Sequence, residues 1–330
     1  MKPKKILITG GAGFIGHHLI SYFLNKTNHN IITLDRLDYS GSYNRISEIV
    51  KDNPEWKKRI RIVWHDLRAE INPIIRKQIR KPDIILHVAA ASHVDRSISN
   101  PMSFVLDNIV GTVNILNFAR SIKSLEKFLY FSTDEVFGPA PKNIKYDEND
   151  RYNSGNPYAA TKAGAEEMCL AYQNTFRLPI LITHTMNVIG ERQHPEKYLP
   201  KIINYLIKNK ILTIHSNKNK TKAGSRFYIH AQDVADAVNF IITKGKVGEK
   251  YNIVGSKEID NLHLASIVSK HIKKELKYKF VDFHSSRPGH DLRYALSGQK
   301  LAKMGWKPQK NIESRIRETV TWTLKNKDWF

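Results

Sequence analysis

Cysteine is almost absent, with Cys169 the single one among 330 residues. An internal disulfide is thereby excluded, and a reducing compartment, the cytoplasm, is the expected setting. Cys169 lies in an apolar helical stretch and reads as a small buried hydrophobe rather than a reactive thiol. Also missing is any apolar run near the roughly 20 residues that a membrane helix needs, so no membrane partner is expected. The basic start, Met-Lys-Pro-Lys-Lys, leads into Ile6 to Thr9, too short for a secretion signal. The 14 histidines include no His-Glu-x-x-His and no zinc-spaced cluster, so no metal is expected.

Acidic residues are scarce beside basic ones: 31 Asp and Glu against 53 Lys and Arg, a formal charge of +22. Such an excess raises the question of nucleic acid. The basic residues are spread along the whole chain and no nucleic-acid module accompanies them. A solvated basic surface is the preferred reading, one that would help collect a substrate carrying a diphosphate.

What the chain does have is alternation. Short β-branched runs at 4–9, 31–35, 60–65, 83–88, 127–132 and 179–185 are separated by amphipathic stretches, the pattern of successive βαβ units. The implied fold is α/β, a doubly wound parallel (Rossmann) sheet with a smaller, interleaved substrate-binding domain. The expected division is a dinucleotide-binding domain at 1–186, returning near 226–246, with 187–225 and 247–330 forming the second domain. Helices are expected near 198–209, 232–243, 261–274 and from about 311, and the polar run His215 to Gly224 as a mobile loop.

The first strand runs into Gly10-x-x-Gly13-x-x-Gly16, which includes Phe14 and Ile15, and a helix pattern follows at once. Glycines in that strand–turn–helix context let backbone N–H groups approach a pyrophosphate. The second strand ends in Asp35, placed to accept from ribose hydroxyls and to repel a 2′-phosphate. NAD is therefore preferred over NADP, although Arg36 follows directly. Asp66 and Leu67 at the next strand end, and the small residues Ala89, Ala90 and Ala91 at the fourth, are further candidates for the same cofactor. Plain core packing explains the alanines equally well.

The strand 127–132 leads into Ser132-Thr133-Asp134-Glu135, and Tyr158-Ala-Ala-Thr-Lys162 follows after Asn156-Pro157, a good helix start. On a helix Lys162 shares a face with Tyr158, where its charge is expected to favour the phenolate. A tyrosine so activated can serve as a base. The alternative is a strand-end turn with solvated acids.

With these motifs in place, the chain resembles the extended short-chain dehydrogenases, and within them the nucleoside-diphosphate-glucose 4,6-dehydratases, over nearly its whole length. The matching stretches are Thr9 to Gly16, His87 to Ser97, Asn108 to Thr112, Ser132 to Gly138, Tyr158 to Lys162, Asn187 to Gly190, His194 to Lys197 and Arg287 to Tyr294. The most discriminating is Thr133-Asp134-Glu135. The resemblance implies NAD as a retained cofactor and loss of water from dTDP-glucose or UDP-glucose to a 4-keto-6-deoxy sugar, a first step towards a deoxysugar such as rhamnose. It implies Tyr158 as the base for oxidation at C4, assisted by Thr133 and Lys162, with Glu135 as base at C5 and Asp134 as acid for the C6 hydroxyl. It also implies sugar, diphosphate or base contacts from His93, Asn187, Glu196, Lys197, Arg226, Asn261, Arg287 and His290. A homodimer is implied, packing the helix around 101–122 and the Tyr158 helix through Ile109, Val113, Leu116, Ala163, Met168 and Tyr172. Ala91 stands where bacterial members commonly carry Glu, and Ile189 where tyrosine is usual; both were expected near the cofactor and sugar. A nucleotide-sugar 4-epimerase or UDP-glucuronate decarboxylase would use the same Tyr158 but leave Asp134 and Glu135 without a task. A non-catalytic NAD-binding or nucleic-acid-associated protein would leave all five catalytic candidates idle.

Overall fold

The computed structural model describes residues 2–283 and 292–329. Two compact units make up the chain: the first comprises residues 1–136, 156–184 and 235–251, the second 137–155, 185–234 and 252–330.

The first unit is built on a seven-stranded sheet. In chain order come β1 (Lys5–Thr9), β2 (Asn30–Asp35), β3 (Ile60–Trp64), β4 (Ile84–His87), β5 (Lys127–Thr133) and β6 (Ile180–Thr185). All six were expected from their β-branched runs. The seventh strand, Lys250–Ile253, has a single β-branched residue and so lacks that signal, and the spatial order places it beside β6, then β5, β4, β1, β2 and β3. Parallel registers Ile6↔Ile31 and Ile6↔Ile84 put β1 between β2 and β4, so the chain reverses direction across the sheet at β1. Ligands of such sheets bind beyond the strand ends at that reversal.

Helices cover the sheet because each carries an apolar stripe. In α1 (Phe14–Lys26), Leu19, Ile20, Phe23 and Leu24 are at most 1% exposed. Each such burial stabilises by about 1.5–3 kcal/mol, and Phe23→Ala would cost about 3–5 kcal/mol. The continuous helix Pro101–Arg120 contains a π-helical turn at Val105–Val110. By length and composition alone it could cross a membrane, which corrects the expectation that no stretch would pass that test. Its Ile115, Leu116, Phe118 and Ala119 nevertheless lie in the core of this unit beside Phe128, Tyr130 and Ile182.

The longest helix, Pro157–Phe176, begins with Asn156 as N-cap and Pro157 at its first position, and ends at left-handed Arg177, φ 59°. Its buried face includes Tyr158, Thr161, Lys162, Ala165, Glu166 and Cys169. Cys169 is fully buried and unpaired, as expected of a small hydrophobe.

In the second unit the helix Tyr198–Ile207 buries Leu199, Ile202, Ile203 and Leu206, the i, i+3, i+4, i+7 stripe of an amphipathic helix. They pack with Leu264 and Val268 of helix Asn261–Ile272 and with Ile316 and Val320 of helix Ile312–Lys325. The strands here are short: Leu212–Ser216 pairs with Tyr278–Asp282, and the two-residue strand Ser225–Arg226 with Ile259–Asp260. A strand of two residues carries no periodic signal, so sequence patterning missed the second pair. The polar run after Ser216 is a side-chain-organised turn in which Asn217 Oδ1 accepts from the amides of Thr221 and Lys222.

Candidate active site

The glycine turn is dictated by space. Gly10 has φ +74°, and a Cβ on Gly16 would stand 2.1 Å from the Gly10 carbonyl oxygen, so a side chain at 16 would break the turn. The α1 N-terminus opens at Gly13, and no side chain caps it. Its first-turn amides are therefore free of a side-chain acceptor, the arrangement that suits a pyrophosphate. Phe14 and Ile15 are the first two residues of that helix.

Asp35 closes the other side of the turn. Its Oδ2 accepts from Ala12 N at 2.9 Å and its Oδ1 from Leu37 N at 2.8 Å. Burial holds its carboxyl above the usual range while those two amides pull it back. Each oxygen retains a lone pair for a ribose hydroxyl. Arg36, the residue that clouded the choice of dinucleotide, is tied down: its guanidinium meets Asp38 at 2.6 Å and Asp107 at 2.5 Å. Its charge is thus engaged by carboxylates, as NAD requires. Asp66 accepts from Arg68 and lies 3.6 Å from Arg36, and Leu67 packs on the unit's core. The observations at Gly10, Gly16, Asp35 and Arg36 fit NAD.

A buried polar chain connects this turn to the catalytic candidates. Thr9 Oγ1 pairs with His87 Nδ1 at 2.8 Å and accepts from the amides of Val88 and Ala89. His87 Nε2 pairs with Thr112 Oγ1 at 2.9 Å. Burial pushes His87 down to about 3, so it is neutral at physiological pH. Asn108, inside the π-helical turn, brackets Ala91 by accepting from its N–H and donating to its carbonyl, and also donates to Thr161 Oγ1 at 2.9 Å. Such a turn inside an α-helix often marks a functional site. The bracing role of Asn108 is visible only in three dimensions.

The catalytic candidates converge at the end of β5. Thr133 Oγ1 donates to Asp134 Oδ1 at 3.0 Å and accepts weakly from Glu135 N at 3.4 Å. Asp134 is 4% exposed and Glu135 half-buried. Asn156 donates to Glu135 Oε2 at 3.0 Å while its Oδ1 caps the following helix at Ala159 N. Tyr158 N donates to Ser97 Oγ at 3.1 Å.

Tyr158 and Lys162 depart from the sequence expectation. Burial raises the Tyr158 phenol well above its ordinary value, the charges of Glu135 and Asp134 add to that, and a hydrogen bond with Thr133 opposes it. Lys162 Nζ donates to the Phe131 carbonyl and sits 4.3 Å from the centre of the Tyr130 ring. Burial pushes Lys162 down to about 7, with Cys169 and Glu166 pulling it back up. The expected lowering of Tyr158 by Lys162 is therefore absent, because desolvation outweighs it and the lysine is held by β5.

The second unit places Arg226 and Asn261 close together, since Arg226 pairs with Ile259 two residues before Asn261. Arg226 donates to the carbonyls of Ser225 and Leu292 and stacks 4.5 Å from the Tyr294 ring. Asn261 Oδ1 accepts from Tyr228 at 2.6 Å. Glu196 lies beside His194 at 3.5 Å, Lys197 is the N-cap of helix Tyr198–Ile207, and Asn187 is exposed. In the first unit, His93 caps helix Val94–Ser99 by accepting from Arg96 N. Arg287 and His290 lie outside the described residues. Of the two departures, Ala91 packs against Val94, Phe104 and Tyr158, and Ile189 is a core residue of the second unit, 2% exposed.

Comparison with known proteins gives the family. The family model for GDP-mannose 4,6 dehydratase matches residues 7–319. A dTDP-glucose 4,6-dehydratase of Salmonella typhimurium is 35% identical over 98% of this chain and 94% of its own length, and one of Haemophilus influenzae is 36% identical over 97% and 98%. The crystal structure of DesIV, a dTDP-glucose 4,6-dehydratase from Streptomyces venezuelae with NAD and TYD bound, superposes with TM-score 0.89 at 31% identity, covering 99% of this chain and 98% of that one. A Thermus thermophilus UDP-glucose 4-epimerase complexed with NAD superposes with TM-score 0.86 at 26% identity, over 96% of this chain and 98% of its own. The chain therefore belongs to the GDP-mannose 4,6 dehydratase family, and its full-length relatives there include the dTDP-glucose 4,6-dehydratases.

Proposed function

We infer that this protein is an NAD-dependent hydro-lyase that converts a nucleoside-diphosphate-glucose to its 4-keto-6-deoxy derivative. The observation that carries the reading is the grouping of Thr133, Asp134, Glu135 and Tyr158, in which a base for oxidation shares one hydrogen-bonded cluster with two further carboxyl groups. An epimerase has no use for that pair. The relatives named above supply the sugar nucleotide, dTDP-glucose, with UDP-glucose the second candidate.

Bound NAD, held by the Gly10–Gly16 turn and Asp35, supplies a hydride acceptor for C4 and the donor that returns the hydride to C6. Tyr158 takes the proton of the 4-hydroxyl, with Thr133 sharing its hydrogen bond. The 4-ketone makes the C5 proton acidic, and Glu135 removes it. Asp134, 4% exposed, gives its proton to the C6 oxygen, which leaves as water. Glu135 then returns a proton to C5. The atoms lost sum to one water and the sugar gains no net electrons. Arg226 and Asn261 of the second unit are the proposed diphosphate contacts, with Asn187, Glu196, Lys197, Arg287, His290 and, in the first unit, His93 completing the sugar-nucleotide set.

The proposed assembly is a homodimer through the surfaces of helices Pro101–Arg120 and Pro157–Phe176. Half-buried Val113 and Ala163 are available there, whereas Leu116 belongs to its own unit's core and Ile109, Met168 and Tyr172 pack against that core. Exposed Met102, Leu106 and Phe176 add apolar surface on the same two helices. The proposed compartment is the cytoplasm.

Incubation with dTDP-glucose and with UDP-glucose, followed by mass and NMR analysis, tests the function. A product 18 mass units lighter with a 6-methyl signal is expected without added NAD, and an epimerised sugar of unchanged mass would overturn the reading.

A further inference from the structure

We propose that Asn156 is a positioning residue for Glu135, fixing the carboxylate that works at C5 to the helix that carries Tyr158. The proposal rests on the reading of Glu135 as that base. Asn156 is 6% exposed and stands two residues before Tyr158. Its Oδ1 accepts from Ala159 N at 2.9 Å, and its Nδ2 donates to Glu135 Oε2 at 3.0 Å. Both ends of the carboxamide are assigned by chemistry. A backbone N–H can only donate, so the amide oxygen must face Ala159, and the amide nitrogen is left for the carboxylate.

One planar group therefore performs two tasks. The first, capping, is common to Ser, Thr, Asp and Asn. The second requires a donor at amide length and is met by neither serine nor aspartate in that place. A glutamate side chain has three torsions to settle, and a donor on Oε2 restricts them. Proton abstraction at C5 and proton removal from the 4-hydroxyl must act on neighbouring atoms of one sugar ring. Tying Glu135 to the Tyr158 helix keeps the two bases in register. A displacement of about 1 Å at such a site costs about 10²-fold in rate.

Asn156→Ser and Asn156→Asp separate the tasks, because both keep an N-cap and each removes the donor to Glu135; aspartate also turns an acceptor oxygen towards it. With the purified holoenzyme and dTDP-glucose, both variants are expected to keep the wild-type helix content and the wild-type burst of bound NADH absorbance, which reports C4 oxidation. Appearance of solvent deuterium at C5 should slow by about tenfold to a hundredfold, aspartate being the slower, with KM within about twofold. In a Glu135→Gln background the further change from Asn156→Ser should vanish, since the partner it positions is gone. If Glu135→Gln leaves C5 exchange intact, the base assignment is wrong and the proposal falls with it. If Glu135→Gln blocks exchange while both Asn156 variants exchange at the wild-type rate, Asn156 is only a cap. Slowing by the same factor in both backgrounds, or loss of the NADH burst together with helix content, would likewise overturn the proposal.

Discussion

Arg36 reaches to Asp107 with both ends of its fork, Nη1 to Oδ1 at 2.5 Å and Nη2 to Oδ2 at 2.9 Å. An arginine one residue beyond Asp35, the acid proposed for the ribose, is the group that would welcome a 2′-phosphate, and here two carboxylates, Asp107 and Asp38, hold it. Asp107→Ala removes the two-point contact and leaves Asp38 and, at 3.6 Å, Asp66. A charge-assisted hydrogen bond is worth about 1.5–3 kcal/mol, so NADP should bind about tenfold better, or more, to this variant than to wild type. NAD affinity should stay nearly unchanged. Calorimetric titration of the cofactor-stripped protein with each dinucleotide checks this; equal NADP binding by both proteins would show that Arg36 is not what the pairing restrains.

The glycine turn makes a sharper prediction about cofactor retention. A methyl group on Gly16 would meet the Gly10 carbonyl oxygen at 2.1 Å and Gly11 Cα at 2.7 Å, both backbone atoms that cannot swing aside. Gly16→Ala should therefore purify without NAD, whereas the wild-type protein should retain it through turnover, because the hydride leaves and returns within one cycle. Absorbance and mass analysis of the cofactor released on acid denaturation gives the answer. Gly13→Ala should be milder, since a Cβ there meets only Gly10 O, at 3.0 Å.

Much of the first unit was legible because its signals are local. The β-branched runs at 4–9, 31–35, 83–88 and 127–132 each became a strand of the sheet, and Gly10, Gly13 and Gly16 fell at the turn their spacing implied. The second unit was harder to read: Ser225–Arg226 and Ile259–Asp260 are strands of two residues, defined by each other and by nothing periodic. Electrostatics were legible only in part. The i, i+4 spacing correctly puts Tyr158 and Lys162 on the buried face of one helix, but whether their charges communicate depends on desolvation and on the Phe131 carbonyl, neither of which sequence reports. Asn156 could be read as a helix start; its donor to Glu135, 21 residues away, could not.

Lys162 sets a pH dependence whose sign can be worked out. Burial lowers it to about 7, so in the folded protein it is a cation below that value and neutral above. In the unfolded chain a lysine keeps its proton to about pH 10.4, so between about 7 and 10 the unfolded state binds more protons and this group makes stability rise with pH. Below about 7 the cost of burying the cation is fully present. Lys162→Met should remove the stability gain seen in urea between about pH 7 and pH 9. A wild-type urea midpoint that falls over the same interval would contradict the assignment.

In the second unit, Arg315 and Asp233 form a nearly dry two-point pair, Nη2 to Oδ1 at 2.7 Å and Nε to Oδ2 at 2.9 Å, with side chains 6% and 2% exposed. Removing Arg315 leaves the Asp233 carboxylate 2% exposed, with the Gln309 amide still donating to it at 3.1 Å. Arg315→Met should cost about 3–5 kcal/mol, while the double change Arg315→Met with Asp233→Leu should recover much of the loss. Urea unfolding followed by tryptophan fluorescence suits the comparison. Equal destabilisation by the single and double variants would mean that packing, and not the orphaned carboxylate, sets the cost.

The division of labour at the end of β5 gives the most direct test of mechanism, because different residues are assigned to different steps. Tyr158→Phe keeps the ring in its packed place against Phe104 and removes only the group that takes the 4-hydroxyl proton. Both the NADH absorbance and the product should disappear together. Asp134→Asn and Glu135→Gln keep shape while removing a proton donor and a proton acceptor. C4 oxidation should survive in both, so NADH should accumulate, while product formation falls by about 10² to 10⁴, the usual contribution of a positioned acid or base. The two can also be told apart. Glu135→Gln should stop solvent deuterium from appearing at C5, whereas Asp134→Asn should allow the C5 proton to exchange and stall at departure of the C6 oxygen, since the proton it lacks is needed only there. A substrate whose C6 substituent leaves without protonation, such as a 6-fluoro sugar nucleotide, should restore elimination in Asp134→Asn and not in Glu135→Gln. Full dehydration by both carboxyl variants alongside an inactive Tyr158→Phe would remove Asp134 and Glu135 from the chemistry, and the epimerase reading would then account for the site better.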